Sequence, residues 1–169
     1  MKAGDVVAFA GSGIVSGLIS LLTFGGISHV GIIAEVYGKL RLVESDVDGV
    51  VASPIDCRIT AYDGRVWHYP LTRDLYAHEH ERLSDFAETT LGRRYDTAGA
   101  LKAGGWLTAA LKAKASKPDL STLFCSELVA ACHNAVGLFP TANAARWSPN
   151  SLVRAERLAG LLGPHKRLK

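Results

Sequence analysis

Three side chains far apart in the chain have the types that acyl-transfer chemistry needs. They are Cys125 in Phe124-Cys125-Ser126-Glu127-Leu128-Val129, His29 in Ser28-His29-Val30-Gly31, and Glu44 after Leu42-Val43. A thiol becomes a useful nucleophile when a base takes its proton and a helix start stabilises the anion. An imidazole can act as that base and then return the proton to a leaving amine or alcohol. A carboxylate accepting from the other ring nitrogen would hold the tautomer. The pattern points to a cysteine hydrolase whose base is encoded before its nucleophile. Each residue also has a structural reading. Cys125 precedes apolar helix positions and could pack in the core, and His29 could be a hydrogen-bonded histidine in an apolar strand. Glu35, Asp46 and Asp48 are alternatives to Glu44.

The elements that must position these groups follow from the apolar pattern. Asp5 to Phe9 is a short buried-strand candidate, and His29 to Val36 is a strand rich in branched side chains. Lys39 to Ser45 is its neighbour, and Gly38 suits a hairpin turn that would bring His29 and Glu44 close together. Val47 to Pro54 and Arg65 to Pro70 are further strands, so the sheet is expected to be antiparallel and twisted. Helices are expected over 14–22, over His80 to Leu91 with Gly92 as a stop, and from about Thr122 to Val136 with Ser121 or Thr122 as cap. The last of these places Cys125 in a first turn, where unsatisfied N–H groups and the helix field favour a thiolate. Its backbone N–H is then the natural first oxyanion donor; a second could come from Tyr95, also a candidate substrate contact, or from a neighbouring backbone group, and packing of Tyr95 against the core is its structural reading. The alanine-rich stretch 97–115 is helical in tendency but interrupted by Gly99 and Gly104-Gly105, and Ser148-Pro149-Asn150-Ser151-Leu152 reads as a turn entering a short final helix.

At 169 residues and 48% hydrophobic, the chain is expected to form one domain over 1–163 with a short basic tail over 164–169. The net charge of +3 and the lack of interleaved basic and aromatic residues point away from nucleic acid. Cys57, Cys125 and Cys132 leave at least one thiol unpaired, so no disulfide framework is expected. Cys57 lies with Asp56 and Arg58 in a presumed connection, and Cys132 belongs to the apolar stripe of the cysteine helix. Glu127 would raise a neighbouring thiol's pKa by like-charge repulsion, which assigns it to structure rather than catalysis. His68, His78, His80 and His133 form no compact ligand set, so no metal and no cofactor is expected. The N-terminus lacks the pattern of a secretory leader, which makes the cytoplasm the expected compartment, with phage-encoded or leaderless export as the other route. The apolar 11–27 stretch falls short of a clean membrane span, so membrane contact is the weaker expectation.

Taken in order, Gly4-Asp5-Val6-Val7, Ser28-His29-Val30-Gly31-Ile32, Glu44, Tyr95-Asp96 and the Phe124-to-Val129 segment resemble the circularly permuted branch of the NlpC/P60 papain-like superfamily, in particular the YiiX/YebB-like group. The resemblance extends over nearly the whole chain. It implies an α+β, permuted papain-like fold, a twisted antiparallel sheet packed against helices, with the histidine strand before the cysteine helix. It further implies Cys125 as nucleophile, His29 as base and Glu44 as the polar third member. The implied activity is cleavage of an amide in a peptide or cell-wall peptide through a thioester. Hydrolysis or acyl transfer on a lipid or small-molecule ester is the alternative, and a binding or structural protein without turnover is the other. The oligomeric state stays open.

Overall fold

In a computed structural model, residues 1–11, 26–46, 49–93, 121–141, 144 and 147–169 are described. Tyr95 and the helices expected over 14–22 and 97–115 lie outside them. Six strands form one antiparallel sheet: β1 (Val6–Gly11), β2 (His29–Val36), β3 (Lys39–Asp46), β4 (Gly49–Ser53), β5 (Gly64–Tyr69) and β6 (Lys166–Arg167), in the order β4-β3-β2-β1-β5-β6. Among the described residues there are four helices: α1 (Ile55–Ala61), α2 (Ala77–Thr90), α3 (Ser121–Ala135) and α4 (Pro149–Leu158). None is long and apolar enough to cross a membrane.

The central strand β1 is apolar at every position because both faces of the sheet are covered. Val6 and Ala8 join the larger core with Val30, Ile32, Leu83, Leu128 and Leu152. Val7 and Phe9 face the other way, into a smaller cluster with Ile33, Leu42 and Val66, against which Ile55 and Ile59 of α1 pack. Strand alternation assigns these faces, and a slip of one residue would exchange them. The β2–β3 hairpin turns at Tyr37-Gly38, both with positive φ (50° and 72°). That left-handed pair matches the twist of the strands it joins.

Two elements differ from the sequence expectation. The presumed connection around Cys57 is the helix α1, entered through Pro54. The basic C-terminus, exposed over 164–167, is also paired with the sheet. Lys166–Arg167 pairs with β5, and the Leu168 N–H donates to the Val66 carbonyl at 2.8 Å.

A buried polar link holds α3 on the sheet. His133 donates from Nε2 to the Gly4 carbonyl (3.0 Å), and its Nδ1 lies 2.6 Å from Glu156 Oε1 on α4. Burial works against the charged ring, but the charge and hydrogen bond of Glu156, the Gly4 carbonyl and Asp5 outweigh it and push the His133 pKa up. Because the folded value lies above the unfolded one, this contribution to stability is complete below about pH 6.5 and is lost as pH rises through the folded value. His133→Gln should therefore destabilise the fold by about 3–5 kcal/mol at pH 6. Between pH 6.5 and the folded pKa, the wild-type advantage should shrink by roughly 1.4 kcal/mol per pH unit. Urea unfolding of both proteins at pH 6 and pH 9 measures this, and an equal deficit at the two pH values would refute it.

Candidate functional site

His29 opens β2 and Glu44 lies near the end of β3. The β2–β3 register pairs Ile32 with Val43, and its continuation sets Glu44 opposite Gly31 and diagonal to His29. Gly31 leaves the space this requires, since a Cβ there would lie 2.7 Å from Glu44 Cγ. The His29 Nε2–H donates to Glu44 Oε1 at 2.9 Å. Glu44 is buried, with 2% of its side chain exposed, against 17% for His29. Its Oε2 accepts from Arg58 Nε at 2.8 Å.

Cys125 comes from α3, which packs against β2 and β3. The thiol is buried, and its side chain forms a hydrogen bond with His29. With Nε2 committed to Glu44, Nδ1 is the ring nitrogen left to meet the sulfur. Burial acts to lower the His29 pKa. The charge and hydrogen bond of Cys125 and those of Glu44 more than offset that, raising it to about 10. The arrangement can hold a proton on the imidazole between a sulfur and a carboxylate, which is what a thiol nucleophile and its acid–base partner require.

The sequence-derived residues therefore have distinct placements. His29, Glu44 and Cys125 come together. Cys125, however, is the fifth residue of α3 rather than part of its first turn, because the helix begins at Ser121. Its N–H lies beyond the four unsatisfied donors of the helix start and within reach of the i−4 carbonyl, so it is not the ready oxyanion donor that a helix start at Cys125 would supply. Glu127 is half-buried, and burial raises its carboxyl pKa. Cys132 is fully buried, and burial together with the charge of Glu156 pushes its thiol up to about 12. Cys57 is exposed on α1.

Arg58 was missed as a site contact because α1 was read as a connection. The signal was present: Ile55, Ile59 and Tyr62 recur at i, i+4 and i+7 behind Pro54, which is helical spacing with a Pro entry. The other histidines are engaged elsewhere. His68 donates to Asp5 Oδ2 at 2.7 Å, and His78 stacks on Tyr76 at 5.9 Å between ring centroids. Among the described residues, no three His, Cys, Asp or Glu side chains are grouped to hold a metal ion.

The antiparallel sheet, the early histidine strand and the late cysteine helix define an α+β, YiiX-like architecture, compatible with a permuted papain-like fold. The structure is similar to that of the metalloprotein YiiX from Escherichia coli O157:H7, with a TM-score of 0.57, 16% identity, and coverage of 99% of this chain and 96% of that one. No protein-family model and no curated protein sequence matches the chain.

The pH behaviour of His29 is directly measurable. In ring-¹⁵N NMR, His29 should stay protonated well above the usual histidine range, to about pH 10. Titration near pH 6.5 would contradict the described geometry. Gly31→Ala should displace Glu44 and lower the His29 midpoint, measured in the same way.

Proposed function

We propose that this protein is a cysteine hydrolase that cleaves an amide bond in a peptide or cell-wall peptide. The observation that carries this reading is the hydrogen-bonded order Cys125, His29, Glu44, with one imidazole between a thiol and a buried carboxylate. In the proposed reaction the Cys125 thiolate attacks the carbonyl carbon, forming a C–S bond. The C–N bond breaks as protonated His29 gives its proton to the leaving amine, leaving a thioester. Neutral His29 then takes a proton from water, whose oxygen attacks the thioester. The C–S bond breaks, the acid departs, and the thiolate and imidazolium are restored. Glu44 keeps the ring in the tautomer that serves both steps. Cys125 has no exposed surface, so the cycle requires an opening that admits substrate to the sulfur.

That burial also favours a second reading, a binding protein that retains a papain-like core without turnover. Reactivity separates the two. In a Cys57→Ser background, which removes the exposed thiol, iodoacetamide at pH 7 should give a single adduct on Cys125. His29→Asn should slow its formation by at least about tenfold. Intact-mass kinetics measure the rate. Labelling no faster than that of an unassisted thiol, and indifferent to His29, would favour the binding protein. Screening peptide amides and acyl esters against wild type and Cys125→Ala should then identify the bond cleaved, with turnover abolished in the variant.

A further inference from the structure

Glu44 has two carboxylate oxygens and almost no contact with water, so each needs a donor within the protein. Oε1 takes its donor from His29 and Oε2 from Arg58. Arg58 is itself held flat. Its guanidinium carbon lies 5.0 Å from the Phe9 ring centroid and 5.3 Å from that of Tyr62. Phe9 in turn packs against the His29 ring at 5.6 Å and against Tyr62 at 4.8 Å. The five side chains form a closed circuit on the α1 face of the sheet.

We infer that Arg58 is a positioning residue for His29, acting through Glu44. Its Nε–H fixes the far oxygen so that the near oxygen faces the ring, and its charge balances the carboxylate. This inference rests on the proposed hydrolase reading for its catalytic meaning. A lone buried carboxylate would hold the imidazolium proton more tightly and make His29 a poorer acid toward a leaving amine. Paired with Arg58, Glu44 orients the ring while pulling less strongly on its proton. Among the described residues, the charged and titratable groups facing His29 are Cys125 from α3 and Glu44 from β3, with Arg58 of α1 and the Tyr62 phenol beyond Glu44. Phe9 from β1 is apolar. A lysine at position 58 would supply the charge without the planar group that the two rings and the carboxylate together confine.

The test uses the full chain carrying Cys57→Ser and compares Arg58→Met, Arg58→Lys and Glu44→Gln with the parent. The His29 midpoint from ring-¹⁵N NMR should rise in Arg58→Met by about one pH unit and fall in Glu44→Gln. Arg58→Lys, which keeps the charge but not the planar group, should return it only part of the way to the parent value. A purely structural role for Arg58 would not produce shifts of opposite sign at two residues in contact. An unchanged or lowered midpoint in Arg58→Met would overturn the inference, and Arg58→Gln serves the same comparison if the methionine variant does not fold. The iodoacetamide rates of parent and His29→Asn are measured alongside. If these show no assisted thiol, the hydrolase reading fails while the NMR comparison still decides the role of Arg58.

Discussion

A carboxylate removed from water needs a donor at each oxygen, and much of the α1 face of this protein is arranged around meeting that requirement for Glu44. The hairpin register brings His29 to one oxygen, and α1 brings Arg58 to the other. Gly31 supplies the space, because any larger residue opposite Glu44 would meet its side chain. The apolar cluster of Val7, Phe9, Ile33, Leu42 and Val66 then holds α1 against the sheet. A buried charge without partners is strongly destabilising, so these contacts depend on one another. Loss of α1 packing would leave Glu44 with an unpaired oxygen, and loss of Glu44 would leave His29 without its acceptor.

The opposite face has its own polar anchor, and the two meet through α3. Cys125 and His133 are eight residues apart, a little over two helical turns, which leaves them within about a quarter turn of each other on one broad side of the helix. One end of that side meets His29 and the other meets Gly4 and Glu156. The height and rotation of α3 are thus determined at two points, which is how a single helix can deliver a sulfur to an imidazole with little freedom. Cys132 lies on the same helix and shows that the helix alone does not make a nucleophile. Its surroundings offer burial and the negative charge of Glu156, and its thiol is pushed up to about 12. The thiol one helical stretch earlier meets an imidazole instead.

The features legible in the sequence were those encoded by local periodicity. The branched run from His29, the turn at Gly38 and the alternation through Leu42 and Glu44 carry the hairpin, and with it the approach of His29 to Glu44. Ser148 and Pro149 mark the start of α4, where the Ser148 side chain accepts from the Ser151 N–H. The misread parts are those whose meaning depends on distant partners. Helix α1 has no buried residue of its own and is only seven residues long, so its composition resembles a polar connection. Arg58 acquires its role from a carboxylate fourteen positions earlier, from the Phe9 ring on β1 and from the Tyr62 ring at the end of its own helix. The C-terminal Lys166-Arg167 has the composition of a solvated end, yet it has a sheet edge available beside β5, and backbone pairing is indifferent to the charge of the side chains that carry it. Helix α3 starts one residue before the position its cap residues suggest, which puts the Cys125 N–H just past the donors of the first turn.

A similar arrangement of sheet and helices occurs in the metalloprotein YiiX, and in this chain the histidine at the start of β2 faces a thiol. A fold fixes where side chains can be placed, and the side chains placed there decide the reaction. Nδ1 of His29 has a sulfur to face, Nε2 has a carboxylate, and the ring has a pKa raised to about 10 by those two neighbours against the effect of burial. An imidazole in that setting holds its proton through the neutral range, and the same two neighbours that raise its pKa fix the orientation of the ring.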